Sequence, residues 1–322
     1  MKRSDRIHFG KRKNPPKSKV ESTDKMKIQN LLIFPLLLVI ACSTAKTDSN
    51  STSSEPIASC PEKLRFAVTD IPGEERLKDE FGAFQTALGE VLGIPIELFP
   101  VSNFVAATPA LMFDRVDIVL AGPSEYVLMH SKANAIPFVG ITRPGYHTVI
   151  LGVAGTPIKS VEDLKGKTIG IREEGSTAGH LGVLRLLKEA GFEINKDFNT
   201  KIIGDDSGLI ELKEGKLDVW ADASTRYQRI IGEQNLSESD FSIIAKGEQL
   251  PNDILVANPS LGPECIEEMR SRVVENERKL MDAILVSPAN KKYTESKMVP
   301  AKDEDYDLIR EGYKAIGEKD YL

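Results

Sequence analysis

From Leu64 to Leu120 the sequence alternates compact apolar runs with stretches whose apolar residues recur every three or four positions, and this confines the chain to the α/β class. Leu64-Arg65-Phe66-Ala67-Val68 reads as a strand. A helix is expected from Glu75 to Val91, because Leu77, Phe81, Phe84, Leu88 and Val91 fall on one face. Ile94 to Phe99 is the next strand, Phe104 to Phe113 a helix, and Val116 to Leu120 a buried strand ending at Gly122-Pro123. Parallel neighbours need crossover connections, so this order predicts a parallel-rich sheet flanked by helices.

The pattern then repeats. Thr148 to Val153, Thr168 to Ile171, Lys201 to Ile203 and Leu217 to Ala221 read as strands, with helices at Ser160–Leu164, from Ser176 to Ala190 and at Ser207–Lys213. Glu264–Leu285 and Tyr306–Ile316 are expected to be helical. Two α/β units and a return segment predict two lobes around a cleft: 62–152 as the first part of lobe one, 153–244 as lobe two, and 245–322 as the return. No internal repeat supports a solenoid.

The first 60 residues have a different character. Leu31 to Ala41 is an unbroken apolar stretch preceded by Lys25 and Lys27, too short to span a bilayer but suited to a signal-peptide core. It ends in Val39-Ile40-Ala41-Cys42, which resembles the bacterial lipobox, so Cys42 is expected to carry lipid and tether the protein outside the membrane. Residues 1–41 are then extension and signal, with Met26 an alternative start, and 42–61 a Ser/Thr-rich tether. A flexible linker of about 20 residues reaches near 25 Å.

Removing residues 1–41 takes ten Lys/Arg and three Asp/Glu from totals of 42 and 48, leaving a net charge of −13. An acidic surface argues against nucleic acid and a polybasic membrane patch. Any anionic ligand must therefore be held by local donors and dipoles. With Cys42 assigned to lipid, Cys60 and Cys265 either form a disulfide or remain two separate thiols.

Gly175-Ser176-Thr177-Ala178-Gly179 follows a strand and opens a helix carrying Leu181, Leu184 and Leu187. Backbone N–H groups and hydroxyls at such a start suit an anion, although a plain helix cap uses the same residues. Ligands of open α/β sheets lie beyond the carboxyl ends of strands, which collects Thr69-Asp70, Gly122-Pro123-Ser124-Glu125-Tyr126, Ser176-Thr177, Asp205-Asp206 and Asp222. Enzyme signatures are lacking: there is no Gly-x-Ser-x-Gly, His-Glu-x-x-His or Gly-Lys-Ser/Thr loop and no zinc-spaced cysteine pair, and His8, His130, His147 and His180 form no constellation. No cofactor, metal or catalytic residue is expected.

The stretch from Phe104 to His180 resembles the substrate-binding proteins of phosphonate, phosphite and phosphate ABC transporters. The resemblance rests on Phe104-Val105-Ala106-Ala107, Gly122-Pro123-Ser124-Glu125-Tyr126, Pro144-Gly145-Tyr146-His147-Thr148, Pro157 to Lys167 and Gly175-Ser176-Thr177-Ala178-Gly179, with weaker echoes at Leu217-Asp218-Val219, Pro251-Asn252-Asp253 and Val299-Pro300. It implies a two-lobed periplasmic-binding-protein fold of type II that closes on its ligand by a hinge. It further implies a monomer that captures an oxyanion with Ser176 and Thr177, assisted by Ser124, Tyr126, Phe104 and Tyr146, and passes it to ABC permease and ATPase subunits.

The sequence departs from that pattern where ligand should sit. Ala178 replaces a third hydroxyl, Ala121 an aromatic and Asp205 a histidine. Asp70, Glu125, Asp205 and Asp222 around one cleft would favour a zwitterion. The alternative is therefore a sensory or adaptor lipoprotein of the same fold that binds a cationic or amino-bearing metabolite.

Overall fold

The computed structural model describes residues 54–319 except Asn195. Cys42 and the expected signal segment lie outside the described residues. The end of the expected tether is packed: Ile57 is 4% exposed within the first core, and the Arg272 guanidinium donates to the Glu55 carbonyl. Cys60 and Cys265 are disulfide-bonded across a sequence separation of 205, so the start of the folded part is fastened to a late helix.

The first lobe holds β1 (Leu64–Val68), α1 (Glu74–Leu92), β2 (Ile96–Leu98), α2 (Ala107–Met112), β3 (Ile118–Ala121), α3 (Pro123–Ala133) and β4 (Ile136–Ile141). The chain crosses to β5 (His147–Val153), β6 (Thr168–Ile171), a π-turn at Thr177–Leu181 continuing into α4 (Gly182–Glu189), β7 (Asn199–Ile202), α5 (Gly208–Lys213), β8 (Val219–Ala223), α6 (Ser224–Glu233) and β9 (Phe241–Gln249). It returns through β10 (Asp253–Ala257), α7 (Pro263–Glu275), α8 (Glu277–Ile284), β11 (Met298–Pro300) and α9 (Asp307–Ile316).

Helix α1 forms as its periodicity requires. Leu77, Phe81, Phe84, Leu88 and Val91 are all buried, and Gly93 ends the helix at φ 69°. Phe84 and Phe81 sit 5.4 and 6.4 Å from the Phe66 ring, tying the helix to β1.

Strand order is β11-β4-β10-β3-β1-β2 in one sheet and β7-β6-β8-β5-β9 in the other. Both sheets are mixed. β1 runs parallel to β2 and β3, and β6 parallel to β7 and β8, as the alternation predicts. β10 is antiparallel to β3 and β4, and β5 antiparallel to β8 and β9. These antiparallel strands flank the two crossings, Thr142–Tyr146 and Leu250–Asn252. The second sheet thus begins at His147 and ends at Gln249, wider than the expected 153–244. The expected helix Glu264–Leu285 is interrupted at Asn276, whose φ of −105° leaves the helical range.

Four apolar clusters cover the sheet faces. One of them joins the lobes, placing Tyr146, Ala178, Leu181 and Ala223 with Ala121, Tyr126 and Ile254. Among the described residues no helix is long and apolar enough to cross a membrane.

Candidate functional site

The carboxyl ends of β3 and β6 point toward each other, each followed directly by a turn that starts a helix. The Ser124 amide donates to Thr177 Oγ1 at 3.0 Å, and the two hydroxyls lie 2.8 Å apart. Ser124 Oγ also reaches the Gly175 carbonyl at 2.5 Å. Gly175 is required here twice over: its φ is 94°, and a Cβ would fall 2.9 Å from Phe104 Cβ on the opposite lobe. The π-turn that follows is a local widening of the helix start, a form found often at functional sites.

A cleft of about 1220 Å³ opens beside this meeting point, lined by Asp70, Phe104, Glu125, Tyr146, Ser176, Thr177, Asp205 and Asp222 together with seven cations, while Ser124 is fully buried and outside its lining. The structure thus gathers most of the residues expected from sequence, but with different partners. Ser176 caps the helix start, its Oγ accepting from the Gly179 amide at 3.3 Å. Phe104 lies under Arg172, whose guanidinium carbon is 5.7 Å from the ring centroid. The Tyr146 ring stacks under Arg143 at 3.6 Å.

Tyr126 does not join the site. Its ring packs edge-on against Tyr306 at 4.6 Å, and its hydroxyl donates to Asp303 at 2.5 Å, so it is a core residue directed away from the cleft. The sequence reading erred because Tyr126 lies only two positions after Ser124. On a helix, two positions turn a side chain to the opposite face.

The expected acids Asp70, Glu125, Asp205 and Asp222 all border the cleft, beside protein partners. Asp70 accepts from Lys292 at 2.6 Å, and that cation holds its carboxyl below the usual range against the opposing effect of burial. Asp205 is exposed at the rim, where the Ser207 hydroxyl and then its amide, at 3.0 Å, hold its carboxyl below the usual range. Asp206 pairs with Arg226 at 2.6 Å and Arg229 at 2.8 Å. Asp222 accepts from the Ala223 amide at 2.7 Å and faces Arg226 at 3.3 Å; burial still pushes its carboxyl upward. Asp70 and Asp206 are paired with protein cations here, while Asp222 Oδ2, 3.3 Å from Arg226 Nε, makes no hydrogen bond.

The residues missed from sequence are the cations Arg143, Arg172, Arg226, Arg229 and Lys292. Arg143 is 8% exposed, pairs with Asp253 at 3.1 Å and donates to Thr225 Oγ1 at 3.1 Å, so one guanidinium braces both lobes beside the hinge. Arg172 was within reach of the strand-end rule, since it directly follows β6; its Nη1 donates to the carbonyls of Ile203 and Gly204 at 3.2 and 2.6 Å. Arg226 and Arg229 lie in the helix after β8, where the i, i+3 spacing puts both on one face. Among the described residues no group of His, Cys, Asp or Glu is arranged to hold a metal ion.

Two mixed sheets, two crossings and a polar cleft between facing strand ends define a two-lobed binding protein of the type II periplasmic kind. The model of the family described as "ABC transporter, phosphonate, periplasmic substrate-binding protein" matches residues 66–306, and the chain belongs to that family. The phosphonates-binding periplasmic protein of Escherichia coli (strain K12) is 20% identical over 207 residues, 62% of this chain and 61% of that relative's length. A binding protein component of a phosphonate ABC transporter from Pseudomonas aeruginosa superposes with a TM-score of 0.65 at 19% identity, covering 80% of this chain and 86% of the other. The PhnD1 protein of Prochlorococcus marinus, solved with methylphosphonate, superposes at 0.64 and 19% identity, covering 80% and 99%.

Proposed function

We propose that this protein captures a phosphorus oxyanion or organophosphonate between its lobes and delivers it to the permease and ATPase subunits of an ABC importer. The observation that carries the reading is the meeting of Ser124 and Thr177, one from each lobe, at the mouth of two strand ends. An oxyanion inserted there accepts from the Ser124 amide and both hydroxyls, replacing neutral hydrogen bonds with stronger charge-assisted ones. Because the donors come from opposite lobes, ligand favours closure by its contacts with both. Phe104 borders the site from the first lobe and Arg172 from the second.

Capture involves no bond making. Lipidation of Cys42 would keep the receptor within reach of its permease as it opens and closes. Titration calorimetry of residues 43–322 with phosphate, phosphite, methylphosphonate and 2-aminoethylphosphonate tests the reading. Saturable one-site binding to at least one of them supports it; no heat from any up to about a millimolar removes this ligand class.

A further inference from the structure

The floor of the cleft contains a carboxyl group that the anion reading leaves without a task. Glu125 is 3% exposed and borders the cleft. Thr69 Oγ1 donates to its Oε1 at 3.1 Å, while Ser124 Oγ, whose one proton also faces the Gly175 carbonyl, stands 2.9 Å from Oε2 and Thr177 Oγ1 stands 3.4 Å from it. The hydroxyls assigned to the ligand are therefore the same ones that touch a buried carboxyl. An oxyanion accepting from Thr177 lies one further hydrogen bond of about 2.8 Å away, so at most roughly 6 Å from Glu125. Two full negative charges that close, one of them buried, repel each other strongly.

The surroundings of Glu125 give no compensating cation. Lys292 is bonded to Asp70 and Arg143 to Asp253, so each nearby positive charge is matched by its own carboxylate. Tyr293 donates to Asp253 at 2.7 Å, and the Tyr146 ring faces Arg143. Burial, with Asp70 and Asp253 close by, pushes the Glu125 carboxyl up to about 7.

We propose that Glu125 reads the protonation state of the ligand: one proton is held between its carboxyl group and an oxygen of the bound phosphorus oxyanion. The inference rests on the phosphorus-oxyanion reading above. No covalent bond changes. The proton comes either with the ligand as P–OH, donated to a carboxylate, or with Glu125 as the acid, donated to P–O⁻. Phosphate-type ligands keep a titratable proton near neutrality, with a second pKa of about 6 in phosphate monoesters. A sulfonate has no such proton to bring and is admitted only when Glu125 has taken one from solvent.

Calorimetric titration of the wild type and Glu125→Gln with methylphosphonate from about pH 6 to 9, in buffers of different ionisation heat, tests this directly. The wild type is expected to take up a proton on binding at the alkaline end and to lose affinity roughly tenfold per pH unit there. Methanesulfonate, for which only Glu125 can supply the proton, is expected to lose affinity at about the same tenfold per pH unit above about pH 7. Glu125→Gln, a permanently neutral donor, is expected to remove the falling slope for both ligands. Wild-type affinity that is flat or rising with pH, with no proton uptake, overturns the role of Glu125 and leaves the phosphonate reading standing. No binding of any phosphorus oxyanion at any pH overturns both. The wild-type profile decides the question even if the variant fails to fold.

Discussion

Ser124 and Thr177 stand 3.0 Å apart, amide nitrogen to hydroxyl oxygen, and join the turn after β3 to the turn after β6 across the cleft. Each turn is a strand-to-helix connection of a different lobe, so the two lobes touch directly here. They are held together by bonds between the same groups that an oxyanion would use. Ligand and interlobe contact compete for donors, and binding must exceed what the direct bonds already supply.

Gly175 makes closure sterically possible. Gly175→Ala adds a Cβ facing Phe104 and forces an L-residue to a φ of 94°, which costs about 1–2 kcal/mol for the backbone alone. Ligand affinity and the unfolding midpoint should both fall. Adding Phe104→Ala should restore part of the affinity but not the backbone cost. A double-mutant cycle measured by titration and urea unfolding separates the two contributions.

Arg143 should matter for stability as much as for binding. Its pair with Asp253 is buried, and the two side chains are only 9% and 4% exposed. Arg143→Met removes one partner and leaves the Asp253 carboxylate with Tyr293 and a distant Lys292 at 3.9 Å. A loss of about 3 kcal/mol in urea unfolding is expected, with the m-value unchanged. A change below about 0.5 kcal/mol would show that the pair is solvated and structurally idle.

Glu125 should leave a pH signature in the ligand-free protein. Its carboxyl holds a proton up to about 7 in the fold, against an ordinary value of 4.5. A raised folded-state value means stability that is fully present below 4.5 and is lost as pH rises through about 7. The loss amounts to roughly 3 kcal/mol at most. Glu125→Gln should therefore be more stable than wild type at pH 8 and no more stable at pH 4.5, as read by thermal unfolding. Equal differences at the two pH values would contradict the buried acid.

Much of the architecture was legible in the sequence, and the reasons differ by element. Helix α1 and strands β1 and β6 announced themselves because apolar spacing and element length agreed there, with β1 and β6 matching to the residue. Strand β10 did not, since Asp253-Ile254-Leu255-Val256-Ala257 is buried on both faces and carries no alternation to read. Its antiparallel insertion, and that of β5, is a property of where the chain re-enters each sheet and not of any local pattern.

The site was half legible for a related reason. Loops at strand ends are marked by position, so the sequence points to Ser176, Thr177 and Asp222, which border the cleft, and to Ser124, which bonds Thr177. Arginines are marked only by what they pair with, and Arg143 meets Asp253 across 110 residues of sequence. The same blindness made four carboxylates look like free anchors. Asp70 and Asp222 are each opposed by a cation, and Lys292 reaches Asp70 across 222 positions.

The central claim is that Thr177, opposed to Ser124, holds the oxyanion. Thr177→Val keeps the side-chain shape and deletes the hydroxyl that faces Ser124 across the lobes. Calorimetric titration of this variant with methylphosphonate, at a pH near 7 where the wild type binds, is the most direct test. The account predicts a loss of ten- to a hundredfold in affinity, about 1.4–2.7 kcal/mol, with unfolding stability changed by only about 1 kcal/mol. Wild-type affinity in Thr177→Val would place the ligand elsewhere in the cleft and contradict the account.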